Sequence, residues 1–450
     1  MRRLTRWLSA VGASSVLVLT GSPAGAAPGP LPQEWWFKAW DIQHSVWPVS
    51  KGAGVTVAVI DTGVNANLPD LKDAVLPGKD FLGGYGDAQG SGDGRTDTDV
   101  RDGGHGTGMA SLIASRGTGT GFVGVAPESK ILPILSSTVS LPEAIRYAAD
   151  HGAGVVSISQ GTPALQNQCE PGLQQAIGYA LDHNVVIVAS AGNDGNGVNS
   201  VKIPAVCAGV LVAGALDNQK NVYANTERHP YVSVAAPGYL VGALQKDGRF
   251  NPQLSGTSQA GALTAGAVAL VRSKFPNMSN REIVQRIIGT AKDVGPSGKD
   301  EQTGYGVVIP SAALTANVPK NAPNPVFAKY DKWKASQPKT GDTPTTPKTK
   351  SATEKNNDKA ARNTKILLIG VGVVALLVIV VGGLLILRNR GRKNPPPPPP
   401  GAPGTPPSWG GTAGPGRQVP PQRGPGGQPY SPQPGPGQPP QAPPGGFGPR

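Results

Sequence analysis

Four short segments of this 450-residue chain carry side chains that could do chemistry together. Residues 57–64 present the Asp61 carboxylate, residues 104–111 the His105 imidazole and residues 255–261 the Ser258 hydroxyl. A fourth segment, 188–195, places Asn193 in a turn after an apolar run. A serine hydroxyl is a poor nucleophile until a base takes its proton, and an imidazole can do so near neutral pH. The imidazolium that forms needs a carboxylate to orient and stabilise it, the part open to Asp61. The Asn193 amide and the Ser258 backbone N–H would then hold the negative charge that grows on the substrate oxygen. Each signal is weak alone: a Gly-Thr-Ser is often a helix cap, a lone histidine a core residue, an asparagine in a turn a tolerated left-handed residue. Their joint occurrence, each at the edge of an apolar run and beside glycine, is what points to nucleophilic hydrolysis.

The elements that must position these groups are legible as patterns. Apolar runs at 55–60, 131–135, 155–159, 185–189 and 210–213 read as strands buried on both faces, as in a covered parallel sheet. Helical spacing is expected over 142–150, 173–183, 260–275 and 280–291. Alternation of strand and helix predicts an α/β domain with a mainly parallel central sheet flanked by helices. Sites in such sheets form beyond the carboxyl ends of the strands. Asp61 directly follows its strand, and Ser258 precedes a helix whose N-terminus favours anionic charge.

Beyond the domain the composition changes sharply. Residues 1–26 join Arg2, Arg3 and Arg6 to an apolar run and an Ala-Gly-Ala end, the pattern of a secretory signal peptide. An N-terminal extension, 27–54, leads to the α/β domain, 55–315. Trp35, Trp36, Trp40 and Trp47 are expected to pack it onto the domain. Residues 316–365 form a basic linker, expected to be disordered. Residues 366–387 contain no charge, and at about 1.5 Å per residue are long enough to cross a bilayer core as one transmembrane helix. Residues 388–450 make a Pro/Gly-rich tail, in which 394–450 holds 22 of the 47 prolines; polyproline II is its expected local state. The export signal puts the domain outside the cytoplasm and leaves Arg388, Arg390, Arg392 and Lys393 inside, as positively charged flanks prefer. The predicted placement is therefore the plasma membrane, single-pass, with a short cytoplasmic tail.

The net charge of +13 belongs to the flanks. Residues 1–27, 316–365 and 388–450 carry +3, +7 and +7, which leaves 28–315 at −4. Nucleic-acid binding is not indicated, while membrane lipid lies within reach of the linker. The two cysteines, Cys169 and Cys207, are expected to form a disulfide in an exported domain. Closing a loop of that length contributes about 4 kcal/mol on the chain-entropy view.

Taken together, the ordered segments resemble the subtilase family, over about residues 34–315. Residues 121–127 (GFVGVAP) and 304–308 (GYGVV) extend the likeness, and Asp, His, Ser is that family's chain order. The closer resemblance is to the mycosins, membrane-anchored subtilases of type VII secretion systems. They share the signal peptide, the Trp-bearing N-terminal segment, the Pro-containing linker and the C-terminal membrane helix. The resemblance implies a serine endopeptidase with Asp61, His105, Ser258 and Asn193 as catalytic residues. In an enzyme of this same class, loss of the oxyanion-binding asparagine costs about 2.7–4 kcal/mol. It also implies substrate backbone pairing along Ser159, Gln160 and Gly161, protein substrates, and association with the secretion membrane complex. The alternative is a non-catalytic or dual-role component that brace such a complex. Three departures stand out: Gln259 and Ala262 replace the usual Met or Phe and Pro after the serine, Gly108 stands where a second His is common, and only one disulfide can form.

Two other motifs carry less. Residues 119–124 match G-x-G-x-x-G but lack the preceding strand and the acidic residue of a dinucleotide site. Asp87, Asp93, Asp97, Asp99 and Asp102 crowd a Gly-rich loop before His105. Calcium could use such oxygens, but the spacing is not that of an EF-hand. No metal site and no cofactor are assigned, and a solvated acidic loop is expected.

Overall fold

The structure, a computed structural model, describes residues 28–82 and 92–337. The expected signal peptide, membrane helix and Pro/Gly-rich tail, and the linker beyond residue 337, lie outside the described residues. Strands β1 (Thr56–Asp61), β2 (Lys79–Asp80), β3 (Lys130–Leu135), β4 (Val155–Ile158), β5 (Thr162–Pro163), β6 (Val186–Ser190), β7 (Lys202–Ile203), β8 (Val210–Leu216), β9 (Val234–Pro237), β10 (Ala243–Leu244) and β11 (Phe250–Asn251) alternate with helices. Those helices are α1 (Trp35–Ala39), α2 (His105–Ala114), α3 (Leu141–Asp150), α4 (Pro171–Asp182), α5 (Thr257–Lys274), α6 (Asn280–Gly289), α7 (Pro310–Thr315) and α8 (Pro325–Ala335).

The seven-stranded central sheet runs β2-β3-β1-β4-β6-β8-β9, and every pairing in it is parallel. β8 is buried at every position, so both faces are covered, as its unbroken apolar sequence requires. α5 packs along β4, β6, β8 and β9 and against α2, while α3 and α4 pack together. Parallel pairing collects the carboxyl ends of the strands along one rim. Register aligns Ile60 with Ile158 and Ile158 with Ala189. Asp61 at the end of β1, Ser159 just beyond β4 and the turn after β6 therefore share that rim.

The edge strands β2 and β9 and several short elements were not expected from the sequence, and three further differences matter more. α2 begins at His105, where no helix was expected: its residues from Gly106 to Ala114 are all buried, so there is no polar face to give an amphipathic period. α5 starts at Thr257, not at 260, which places Ser258 inside its first turn. The basic stretch after 316 is not wholly a linker. Within it α8 buries Val326, Phe327 and Tyr330, an apolar stripe hidden among lysines. The expected disulfide is present between Cys169 and Cys207.

The N-terminal extension is packed onto the domain. Trp36, Phe37 and Trp40 are buried with Ile42 and Val46. Trp47 Nε1 donates to the Val125 carbonyl at 3.0 Å, and Trp35 Nε1 to that of Leu240 at 3.0 Å. Glu34, also buried, accepts from Leu31 N at 2.6 Å and Val123 N at 3.2 Å. Burial dominates over these two N–H donors and pushes its carboxyl up from 4.5 to about 8. Between those values the folded chain holds a proton that the unfolded chain has lost, so stability falls as pH rises through this window. Glu34→Gln keeps an acceptor for Val123 and removes the charge. It is expected to raise the thermal midpoint at pH 8 and leave it nearly unchanged near pH 4.5, as read by thermal unfolding at both values.

Candidate active site

Asp61 closes β1 and is 2 % exposed. Its Oδ1 lies 2.8 Å from His105 Nδ1 and also accepts from Thr62 N at 2.8 Å. His105 opens α2, with a side chain about one quarter exposed. Burial alone would push the imidazole down. The Asp61 carboxylate, with Asp102 and Asp97 behind it, outweighs burial and holds it up at about 9.

The approach of β1 to α2 is set by backbone. A Cβ on Gly106 would stand 2.2 Å from the Gly63 carbonyl oxygen, so only glycine fits. Gly106 N donates to Thr62 Oγ1 at 2.9 Å, and Thr62 Oγ1 donates to Asp97 Oδ1 at 2.9 Å. Asp97 Oδ2 in turn accepts from Thr107 N at 2.8 Å and Thr107 Oγ1 at 2.6 Å. Asp99 takes the exposed donors at the helix start, accepting from Gly104 N and His105 N at 3.0 Å each. Lys246 Nζ donates to the Asp99 carbonyl.

Thus the aspartates read as a solvated acidic loop are not all solvated. Asp97 is 5 % exposed, and it and Asp99 brace the start of α2. The sequence reading missed this role; its signal was Asp97 and Asp99 so close before a helix whose first N–H groups need acceptors. Asp87 lies outside the described residues. Among the described residues, no three His, Cys, Asp or Glu side chains are grouped to hold a metal ion.

Ser258 is 6 % exposed. Its Oγ donates to the Ser159 carbonyl at 3.3 Å, and among the described residues no hydrogen bond joins it to His105. Both border one cleft of about 180 Å³, with Asn193, Met109 and Gln259. Asn193 Oδ1 accepts from Thr257 N at 2.8 Å and Thr257 Oγ1 at 3.0 Å. These bonds fix the amide so that Nδ2 is the end left for the cleft. The residues after Ser258 that depart from the family motif do not disturb the helix, which runs unbroken from Thr257. At Gly108 a Cβ would meet that of Ala243 at 3.1 Å, so β10 occupies the space a larger side chain would need.

Ser159 and Gly161 line a second, adjoining cavity. Gln160 lies between them, and its Nε2 is buried without a partner among the described residues. Asp97→Ala would orphan Thr107 N, the Thr62 hydroxyl and Asp99 N. Buried donors cost about 1–3 kcal/mol each when left unpaired, and partial rehydration limits the sum. The expected loss is about 2–4 kcal/mol of stability, measured by denaturant unfolding.

A profile of the Subtilase family matches residues 52–306. Mycosin-1 of Mycobacterium tuberculosis is 34% identical over 342 residues, covering 62% of this chain and 72% of that protein. Among solved structures, MycP1 with the N-terminal propeptide removed is 32% identical with a TM-score of 0.56, covering 64% of this chain and 98% of that one. A chain of the periplasmic assembly from the ESX-5 inner membrane complex is 30% identical with a TM-score of 0.55, covering 66% of this chain and 89% of its own. With an α/β fold of this kind and a family match over more than half its length, the chain belongs to the subtilase family and is a subtilisin-like serine endopeptidase related to the mycosins.

Proposed function

We propose that Asp61, His105 and Ser258 form the catalytic triad and that Asn193 completes it. The observation that carries this reading is the 2.8 Å bond from His105 Nδ1 to Asp61, made at the edge of a cleft that His105, Ser258 and Asn193 share. With substrate bound, the Ser258 hydroxyl turns from the Ser159 carbonyl toward the imidazole; such bonds are often loose before substrate arrives. Ser258 Oγ attacks the peptide carbonyl and its proton passes to His105 Nε2. The oxyanion is met by Asn193 Nδ2 and Ser258 N–H, at the positive end of α5. The imidazolium then gives its proton to the leaving amine. Water, activated by the same imidazole, releases the acyl group from Ser258. The sequence of steps calls for no metal or cofactor.

The domain is proposed to act outside the cytoplasm on proteins of a type VII secretion system, tethered by residues 366–387. The likeness to a chain of the ESX-5 assembly supports that setting. Among the described residues no helix is long and apolar enough to cross a membrane, so the tether rests on the apolar run in the sequence.

A fluorophosphonate probe tests the reading. Wild-type protein is expected to be labelled and Ser258→Ala not; equal labelling of both, or none of either, overturns it. If Ser258→Ala still sustains secretion in cells lacking the wild-type protein, the structural role is the essential one.

A base must be unprotonated to work. Because Asp61 holds His105 protonated above the ordinary 6.5, labelling of the free enzyme is expected to rise with pH along a limb centred well above that value, toward 9. Asp61→Asn removes the charge that raises it, and should shift the limb downward while cutting the maximal rate at least a hundredfold. The pH dependence of the labelling rate checks both.

A further inference from the structure

The second cavity, of about 310 Å³, adjoins the cleft: Asn193 borders both, and Ser159, which accepts the Ser258 hydroxyl, lines it. The peptide residue whose carbonyl rests between Ser258 and Asn193 therefore has this cavity beside its side chain. Two wall positions are glycine for want of room behind them. A Cβ on Gly161 would meet the Ile203 carbonyl at 2.8 Å, and one on Gly192 would meet Glu227 Oε2 at 2.3 Å. The space in front is left to a guest.

One part of the wall is charged. Pairing of β5 with β7 sets Lys202 opposite Pro163, and Lys202 lines the cavity with its side chain 14% exposed. Its Nζ lies 3.2 Å from Glu227 Oε1, whose side chain has no exposed surface, and 3.9 Å from Asp194 Oδ2, whose side chain is 57% exposed. An ammonium has three donors, and the contact with Glu227 is an ion pair that leaves donors for a guest. A donor and an acceptor thus stand side by side at the cavity, with the buried carboxylate of Glu227 behind them offsetting the lysine charge.

We propose that this cavity selects, at the residue supplying the scissile carbonyl, a side chain ending in a carboxamide: glutamine first, asparagine second. The amide oxygen accepts from Lys202 Nζ while the amide N–H donates to Asp194. Glutamate would bring a further carboxylate to a site that already holds two. Lysine would set a second ammonium against Lys202. Methionine would desolvate Lys202 and Asp194 and return no hydrogen bond. The inference rests on the proposed triad, since it concerns the same cleft.

The test uses peptides identical except for Gln, Glu, Lys or Met, side chains of similar length, at the residue before the cut. Wild-type kcat/KM is expected to favour Gln at least tenfold over each of the others. Asp194→Asn removes the carboxylate that repels glutamate and should shrink the Gln/Glu ratio at least fivefold. Lys202→Met should erase the preference for Gln over Met. Lys202→Met leaves Glu227 buried and unpaired, so its folding is checked by thermal unfolding. Should it not fold, the exposed Asp194→Asn decides alone. Wild type that cuts the Glu or Met peptide as well as the Gln peptide overturns the proposal, as does a Gln/Glu ratio unmoved by Asp194→Asn. If Ser258 is labelled by fluorophosphonate and no carboxamide preference is found, this proposal falls and the triad stands. If Ser258 is not labelled, both fall.

Discussion

The close approach of Gly63 to Gly106 is the constraint on which the rest depends. It brings the last residue of one strand and the first residue of one helix together without any side chain between them, and the Asp61–His105 hydrogen bond follows from it. That bond alone could not hold two elements in place, since a single hydrogen bond contributes only about 1 kcal/mol net. Thr62 and Asp97 supply the rest by tying strand end to helix start with several buried bonds. Most of this polar structure lies behind His105 rather than on it.

On the other side of the cleft the same economy recurs with a single residue. Asn193 links the turn after β6 to the first turn of α5 by accepting from Thr257, and the same amide turns its remaining end to the cleft. One side chain thus both ties the two elements together and borders the cleft. α5 contributes through its composition: alanine and glycine let its axis lie close to its neighbours, as where a Cβ on Gly261 would stand 3.5 Å from Ser190 N of β6 and one on Gly266 would meet Val125, in the segment between α2 and β3, at 2.3 Å. Ser258 sits on an element that is buried over nearly its whole length, and little of it can move independently.

Much of this was legible in the sequence because it is written in short-range pattern. β1, β3, β4, β6 and β8 were visible as apolar runs, and α3, α4 and α6 as helical spacing, because burial on a sheet or one helix face leaves a period. Asp61 and Asn193 were legible as candidate site residues by their place after such runs. α2 was not, since a helix buried all round has no period, and neither was the brace by Asp97, since its partners lie 35 and 10 positions away on different sides. Position 202 gave no hint at all: a lysine that follows the polar stretch 199–200 and one valine reads as surface until the pairing of β5 with β7 turns it inward. α8 was hidden by Lys329, Lys332 and Lys334, which are interleaved with the buried residues that dock it.

The docking of α8 has a mechanical consequence. Residue 337, where the described chain ends, follows a helix clamped by Arg281 to Asp331, by Lys334 to Asp182 and by the burial of Phe327 and Tyr330. Tension arriving from the C-terminal side must peel this helix from the domain before it reaches the sheet. Any such load would meet these two ion pairs and the buried aromatic rings before it met the strands and the cleft at their ends.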